Sequence, residues 1–188
     1  MDWTLFHAVN DLAGQVDQID DFLEFAARSL PLLFIPLLMA MWFWPGSRAE
    51  RDSRQWACTL ATASASLALV LNQIIIRLWD RPRPFTDHDV KLLLAPSADP
   101  SFPSDHATFA FAIAVAIFLV NRRIGIIALL IAVVIGFARV YVGEHYVSEV
   151  VAGAVIGGLI ALITHQTRSL LQPILEPLLR LTRRFHLG

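Results

Sequence analysis

Long apolar runs, each close to the length that crosses a lipid bilayer, constrain this chain more than any other feature. A spanning helix needs about 20 mostly apolar residues. Five runs approach that length: 22–44, 56–79, 107–120 (or from Ser104), 124–142 and 146–163. No run shows the period-two alternation of a membrane β-barrel. We therefore predict an all-α, polytopic bundle of five or six transmembrane helices that forms a single domain over residues 1–188.

Two further segments are predicted to lie on the membrane surface rather than to cross it. Residues 3–12 place Trp3, Phe6, His7 and Val9 near one side of a short helix. Residues 166–186 mix leucine and isoleucine with arginine, which is typical of a basic, amphipathic helix at a lipid interface. The fold class therefore includes interfacial helices at the N- and C-termini.

The distribution of basic residues predicts the orientation of the bundle, because loops rich in Lys and Arg stay in the cytoplasm. With five spans, one side receives the arginines at 48, 51, 54, 122 and 123 and those of the tail. The opposite, outer side receives an N-terminal segment rich in aspartate and the long loop 80–103. That loop nevertheless contains Arg81, Arg83 and Lys91. An anionic ligand would explain these basic residues, and pairing with Asp80, Asp87 and Asp89 is the alternative.

Two polar clusters flank this loop. Asp80–Phe85 reads Asp-Arg-Pro-Arg-Pro-Phe, and its prolines end the preceding helix and hold the arginines in extended backbone. A guanidinium fixed in this way suits a phosphate.

Residues 102–106 read Phe-Pro-Ser-Asp-His and precede the third apolar run. Ser104 is a suitable N-cap, and the first turn of a helix is a site for anions, within reach of His106. An ordinary cap with a surface histidine is the alternative.

A third cluster joins the last two apolar runs. Arg139 closes the fourth run, and His145 opens the fifth with Glu149 four residues later. On a helix this spacing places the imidazole and the carboxylate on one face, where the carboxylate fixes the tautomer of the histidine. A surface His–Glu pair is the alternative. The three clusters converge on one membrane face, and phosphoryl transfer needs such a set of cations, a nucleophile and an acid.

The three clusters resemble the motifs of the type-2 phosphatidic acid phosphatase superfamily: Lys-x6-Arg-Pro, Pro-Ser-Gly-His and Ser-Arg-x5-His-x3-Asp. The matching stretches are 76–84, 103–106 and 138–149. Four positions depart from the family pattern, with Ile76 for Lys, Asp105 for Gly, Ala138 for Ser and Glu149 for Asp. The Arg-Pro-Arg-Pro-Phe context and Asp105 resemble the bacitracin-resistance branch, the undecaprenyl-diphosphatases.

This resemblance implies roles for named residues. His145 would be the nucleophile that forms a phosphohistidine, Glu149 would orient it, and His106 would be the general acid and then the base. Phosphate binding would fall to a larger set: Arg83, Ser104, Asp105, Arg139, Arg77 and Arg81. Asp105 would need to point away from the phosphate or pair with Arg81 or Arg77, because two anions repel each other.

The implied activity is metal-independent hydrolysis of undecaprenyl diphosphate at the outer face of a bacterial inner membrane. A His-His-Glu metal site is the less favoured alternative, so no cofactor or metal is predicted. The expected partners are a polyprenyl diphosphate substrate and membrane lipids, and the formal net charge of −1 gives no reason to expect nucleic acid. A broader lipid phosphatase, a lipid phosphotransferase and an anion transporter stay open as alternatives, as does the oligomeric state.

Overall fold

The computed structural model describes residues 1–170, 172–173 and 176–177, and eight α-helices are assigned within these ranges. The helices are α1 Asp2–Asn10, α2 Asp17–Arg28, α3 Phe34–Phe43, α4 Arg48–Leu78, α5 Pro84–Asp87, α6 Asp105–Val120, α7 Arg122–Tyr141 and α8 Val147–Gln166. No strand occurs within the described ranges. The all-α fold class is therefore confirmed.

In the described part of the chain, three helices are long and apolar enough to cross a membrane, namely α4, α7 and α8. The segment from α2 to α3 would be a fourth span if it is counted as one broken unit, and α6 is apolar but has only 16 residues. The chain is a membrane protein. Of the predicted basic tail at 166–186, residues 171, 174–175 and 178–186 lie outside the described residues.

The prediction of one continuous helix over 22–44 is wrong. The chain leaves α2 at Arg28, makes a 3-10 turn over Leu30–Leu33 and starts α3 in a direction that differs by 58°. Pro31 lies in this turn. Its ring removes a backbone donor and disfavours helical backbone at the preceding residue, which explains why the helix breaks here.

Helix α6 lies at the centre of the bundle and packs against α4, α7 and α8. The interfaces consist largely of fully buried alanines, which let the helix backbones approach closely. Gly153 and Gly157 let α8 approach α6 closely. A Cβ at Gly157 would lie 2.4 Å from the carbonyl oxygen of Thr108 on α6.

The polar residues of α4 divide between two surroundings. Ser64 and Asn72 are fully buried toward the bundle, whereas Thr62, Ser66 and Gln73 are exposed. Asn72 donates hydrogen bonds to the side chains of Asp105 and Thr108, both at 2.8 Å. Ser64 and Asn72 therefore lie inside the helix bundle.

Helix α1 covers one end of the bundle, where it contacts α7 and α8. Its apolar side, predicted to face lipid, packs onto protein: Phe6 is fully buried beside Tyr146 and Val140. Asn10 fixes the far end of α1 by donating to the carbonyl oxygens of Tyr141 and Lys91, both at 2.8 Å. We call this end, at which α4 and α7 finish and α6 and α8 begin, the site end.

Candidate active site

Arg83 reaches the site end from the chain that follows α4. It has extended backbone between Pro82 and Pro84, and Pro84 begins the short helix α5. Its Nε donates to the carbonyl oxygen of Asp99 at 2.9 Å, across the loop. The side chain is 8% exposed, so the guanidinium is held in one place by the loop that surrounds it.

Helix α6 begins at the same end. Ser104 occupies the N-cap position as predicted, but its side chain makes no cap hydrogen bond. The N–H groups of the first turn of α6 are therefore not satisfied by this side chain, which leaves them suited to an anion. Asp105 and His106 are the first two residues of the helix.

Arg139 and His145 lie on either side of the tight turn between α7 and α8. Gly143 makes this turn with a φ of +87°, and a Cβ there would lie 2.8 Å from the Lys91 carbonyl oxygen. A residue with a side chain would therefore be both strained and crowded at this position. Helix α8 starts at Val147, so His145 lies between the turn and the helix and does not open the helix as predicted.

These elements enclose a cavity of about 210 Å³. Both predicted histidines and both central arginines line it. The full lining is Gln73, Ile76, Arg83, Ser97, Asp99, Pro100, Pro103, Asp105, His106, Arg139 and His145. A cavity of this size and polarity suits a phosphate group rather than a lipid tail.

His145 is held by the carboxylate that the sequence predicts. Glu149 Oε2 lies 3.1 Å from His145 Nδ1, and it also accepts the N–H of Tyr146 at 3.0 Å. Burial, together with the positive charges of Arg139, Arg83 and His106, places the pKa of His145 well below its usual value. The imidazole is therefore neutral near pH 7. With Nδ1 directed at Glu149, Nε2 is available as a nucleophile.

Glu144 connects the two arginines. Its Oε2 accepts from Arg83 Nη1 and, at 3.0 Å, from Arg139 Nη2. Arg83 Nη1 lies 3.4 Å from His145 Nε2. Glu144 is 2% exposed, so this carboxylate is a buried part of the site. It fixes both guanidinium groups at the cavity, with Arg83 beside His145 Nε2.

Several buried polar atoms at the site make no hydrogen bond within the described residues; among them, Glu149 Oε1 forms an ion pair with Arg81. Ser104 Oγ and Arg139 Nε are buried, and neither has a hydrogen bond within the described part of the chain. Buried polar groups normally have hydrogen-bond partners, so two such groups without partners at one site indicate room for a polar ligand. A phosphate oxygen would satisfy groups of this kind.

The structure does not bring all of the predicted phosphate ligands to the cavity. Arg77 is exposed on α4 and is absent from the lining, and Arg81 lies behind the site against Glu149 at 3.2 Å. Asp105 lines the cavity, and its carboxylate accepts from Asn72 and, at 3.3 Å, from Gln73. Amides of α4 therefore hold Asp105, instead of the expected arginines.

The suggested pairing of loop arginines with Asp80, Asp87 and Asp89 does not occur among the ion pairs of the described residues. Arg81 pairs with Asp2 and Glu149, and Arg83 pairs with Glu144. No group of three or more His, Cys, Asp or Glu side chains in the described ranges is arranged to hold a metal ion.

Sequence reasoning missed the roles of Glu144 and Ser101. Ser101 is fully buried and its hydroxyl donates to Glu149 Oε2. Glu144 directly precedes His145 in the sequence, and this position was a usable signal. A carboxylate buried at a site with several arginines is expected to pair with them. Ser101 gave no comparable signal, since its contact depends on how the loop folds.

Comparison with known proteins places this site in context. Residues 55–172 match the sequence profile of the PAP2 superfamily. The chain is 29% identical over 181 residues to the undecaprenyl-diphosphatase BcrC of Bacillus subtilis, covering 96% of this chain and 91% of that protein.

Two solved structures have the same fold. The crystal structure of Aquifex aeolicus LpxE superposes with a TM-score of 0.71 at 27% identity, covering 87% of this chain and 94% of that one. A transmembrane PAP2-type phosphatidylglycerolphosphate phosphatase of Bacillus subtilis gives a TM-score of 0.62 at 24% identity, covering 89% and 84%.

Proposed function

Because this chain belongs to the PAP2 superfamily and is a membrane phosphatase, we propose that it hydrolyses undecaprenyl diphosphate to undecaprenyl phosphate and inorganic phosphate. The observation that carries the proposal is the geometry around His145. Its Nδ1 is held by Glu149, its Nε2 lies beside Arg83, and His106 lines the same small cavity. A relative that aligns over nearly the whole chain carries the undecaprenyl-diphosphatase name, which supports this substrate.

In the first step, His145 Nε2 attacks the terminal phosphorus of the diphosphate. The bond from this phosphorus to the bridging oxygen breaks, and undecaprenyl phosphate leaves with a proton from His106. Arg83, Arg139 and the N–H groups at the start of α6 stabilise the charge on the three equatorial oxygens. The product on the enzyme is a phosphohistidine at Nε2, with the Nδ1 proton directed at Glu149.

In the second step, His106 acts as the base. It takes a proton from a water molecule, whose oxygen attacks the phosphorus on the side opposite to Nε2. The phosphorus–nitrogen bond breaks, inorganic phosphate leaves, and both histidines return to their starting state. The same two side chains therefore serve both halves of the reaction, with the roles of acid and base exchanged.

The site end faces the outside of a bacterial inner membrane in this proposal. The opposite end begins α4 with Arg48 and α7 with Arg122, beside Arg51 and Arg123. Basic residues of this kind stay on the cytoplasmic side. A site at the end of the bundle lets a lipid headgroup enter the cavity while the polyprenyl tail stays in the bilayer.

A direct assay tests the proposal. Purified protein is incubated in detergent micelles with undecaprenyl diphosphate and EDTA, and phosphate release is followed. We expect release without added metal, and no release from His145→Ala. A wild-type reaction with terminally labelled substrate, quenched rapidly, should contain protein-bound phosphate that is labile in acid and stable in base. No release, or release only with a divalent metal, would contradict the proposal.

Competition among lipids separates the substrate alternatives. Phosphatidylglycerol phosphate, phosphatidate and diacylglycerol pyrophosphate are added to the same assay at equal concentration. We expect undecaprenyl diphosphate to be used with the highest kcat/KM. Equal use of all four would indicate a broad lipid phosphatase, and label found on a second lipid would indicate a phosphotransferase.

A further inference from the structure

Arg81 contacts the carboxylate behind the nucleophile instead of the cavity. Its Nε lies 3.2 Å from Glu149 Oε1, while Glu149 Oε2 contacts His145 Nδ1 at 3.1 Å. Glu149 is fully buried. A buried carboxylate is costly without a compensating charge, and Arg81 is the arginine paired with it in the described part of the chain.

The loop before α6 brings a second group to the same carboxylate. The backbone N–H of Ser101 donates to the carbonyl oxygen of Arg81 at 2.9 Å. This bond places Ser101 next to Arg81, and the Ser101 hydroxyl donates to Glu149 Oε2. From the loop side, Glu149 Oε2 thus accepts a hydrogen bond from Ser101 and Glu149 Oε1 forms an ion pair with Arg81, and the two contacts restrain the carboxylate against the imidazole.

Arg81 is in turn held by the N-terminal helix. Its Nη2 donates to Asp2 Oδ2 at 2.8 Å, and its guanidinium carbon lies 4.6 Å from the centre of the Tyr146 ring. Asp2 also accepts from the backbone N–H of Ser148 at 3.1 Å and from the Ser148 hydroxyl. Partial burial raises the pKa of Asp2, but the hydrogen bonds from Ser148 and Arg81 outweigh burial and lower it below its usual value.

The helix that carries Asp2 is anchored along its length. Phe6 packs edge-on against Tyr146 with 5.6 Å between ring centres, and Trp3 stacks on His88 at 3.9 Å. Asn10 closes the far end by its bonds to the backbone of Tyr141 and Lys91. Asp2 is therefore presented to Arg81 by a docked element.

We propose that Arg81 is a positioning residue for Glu149, that Asp2 holds Arg81 in place, and that α1 acts in this way as a brace for the active site. This inference rests on the proposed function, in which Glu149 orients the nucleophile His145. Arg81 is then not a phosphate ligand, contrary to the prediction from the sequence. The expected consequence of losing Arg81 is a slower chemical step with little change in phosphate binding.

Steady-state kinetics with undecaprenyl diphosphate test the role of Arg81, with inorganic phosphate as a competitive inhibitor. We expect Arg81→Gln to lower kcat by about 10- to 100-fold, the range seen when groups that orient an active-site ligand are removed. KM and the phosphate inhibition constant should change by less than about twofold. Arg81→Lys, which keeps the charge, should recover most of kcat. A tenfold rise in both KM and the inhibition constant with kcat kept would instead make Arg81 a direct phosphate ligand.

Asp2→Asn tests the brace, and Asp11→Asn is its matched control because Asp11 is exposed just after α1 and its carboxylate pairs with His7. We expect Asp2→Asn to lower kcat severalfold and Asp11→Asn to leave it unchanged. In the Arg81→Gln background, Asp2→Asn should lower kcat by a clearly smaller factor than in the wild type, since the ion pair with Arg81 is already lost and only the bonds to Ser148 are removed. Equal activity of the two aspartate variants, or additive losses in the double variant, would overturn the brace.

Failure of this inference is distinct from failure of the proposed function. If the wild-type protein releases no phosphate from undecaprenyl diphosphate, the proposed function is wrong. If the wild-type protein is active and Arg81→Gln matches it in kcat, only the positioning role is wrong. Thermal unfolding of each variant accompanies the kinetics, and Asp2→Asn, at a partly exposed position, tests the brace even if Arg81→Gln does not fold.

Discussion

At the scale of single residues, the site is a set of charges that restrain one another. The two arginines at the cavity, Arg83 and Arg139, share the carboxylate partner Glu144, and Arg81 behind the cavity lies between Asp2 and Glu149. The arginines are thus fixed before a substrate enters, so little reorganisation is needed when charge develops in the transition state. The cost is a lower positive charge in the cavity, because Glu144 offsets one of its two arginines.

Glu144→Gln should show how much the charge of Glu144 weakens phosphate binding. Removing a negative charge near the bound phosphate should strengthen phosphate binding by about 1.4 kcal/mol, which is tenfold in the inhibition constant. Slower release of phosphate should lower kcat. The measurement is competitive inhibition by inorganic phosphate, with Glu24→Gln as the control because Glu24 pairs with Arg28 at the surface of α2. An inhibition constant equal to that of the wild type would show that Glu144 does not tune the charge of the site.

At the scale of secondary-structure elements, close helix packing sets the positions of the catalytic groups. Helix α6 carries His106, and α8 begins two residues after His145. The contact between these helices depends on glycine: a Cβ at Gly153 would lie 2.7 Å from the Ser104 carbonyl oxygen, and Gly157 faces Thr108. The spacing between the two histidines therefore depends on residues that lie along the membrane helices.

Gly157→Ala should separate α6 from α8. A methyl group 2.4 Å from a backbone oxygen forces the helices apart, which should destabilise the fold by about 1–3 kcal/mol. Gly158→Ala is the matched control, since its Cβ would meet only Val115 at 3.8 Å. We expect a lower midpoint of thermal unfolding in detergent, with lower kcat, for Gly157→Ala alone. Equal midpoints for the two variants would contradict this view of the interface.

At the scale of the whole molecule, the charge distribution predicts which way the bundle lies in the membrane. Cys58 is buried and is the only cysteine in the sequence, so a Cys58→Ala background permits labelling of introduced cysteines. Asp89 is exposed in the loop at the site end, and Arg51 is exposed at the opposite end. These two positions report on opposite sides of the membrane.

With a membrane-impermeant maleimide applied to bacterial spheroplasts, we expect Asp89→Cys to be labelled directly. Arg51→Cys should be labelled only after the membrane is permeabilised. Phosphatase activity of each variant serves as the control for correct folding. The reverse labelling pattern would place the site on the cytoplasmic side and exclude an outward-facing headgroup site.

The sequence by itself determined the helices and the end at which the polar clusters meet. Spans over 56–79, 124–142 and 146–163 correspond to α4, α7 and α8, because bilayer length and prolines or glycines at the ends are local properties of the chain. Hydrophobicity alone gave the wrong prediction at α2 and α3, because the apolar run continues through Pro31 and the helix does not. Motif spacing also placed His106, His145 and Glu149 together.

Only the tertiary structure decided which side chains of these clusters face the cavity. Arg81 and Arg83 are two residues apart, yet one lies behind Glu149 and the other beside His145. Asp2 meets Arg81 across 79 residues of sequence, and Asn72 meets Asp105 across 33. Contacts between such distant residues depend on how whole helices pack. Side chains two residues apart in regular extended backbone point the same way, so the different positions of Arg81 and Arg83 depend on how the loop folds. Local sequence pattern carries neither kind of information.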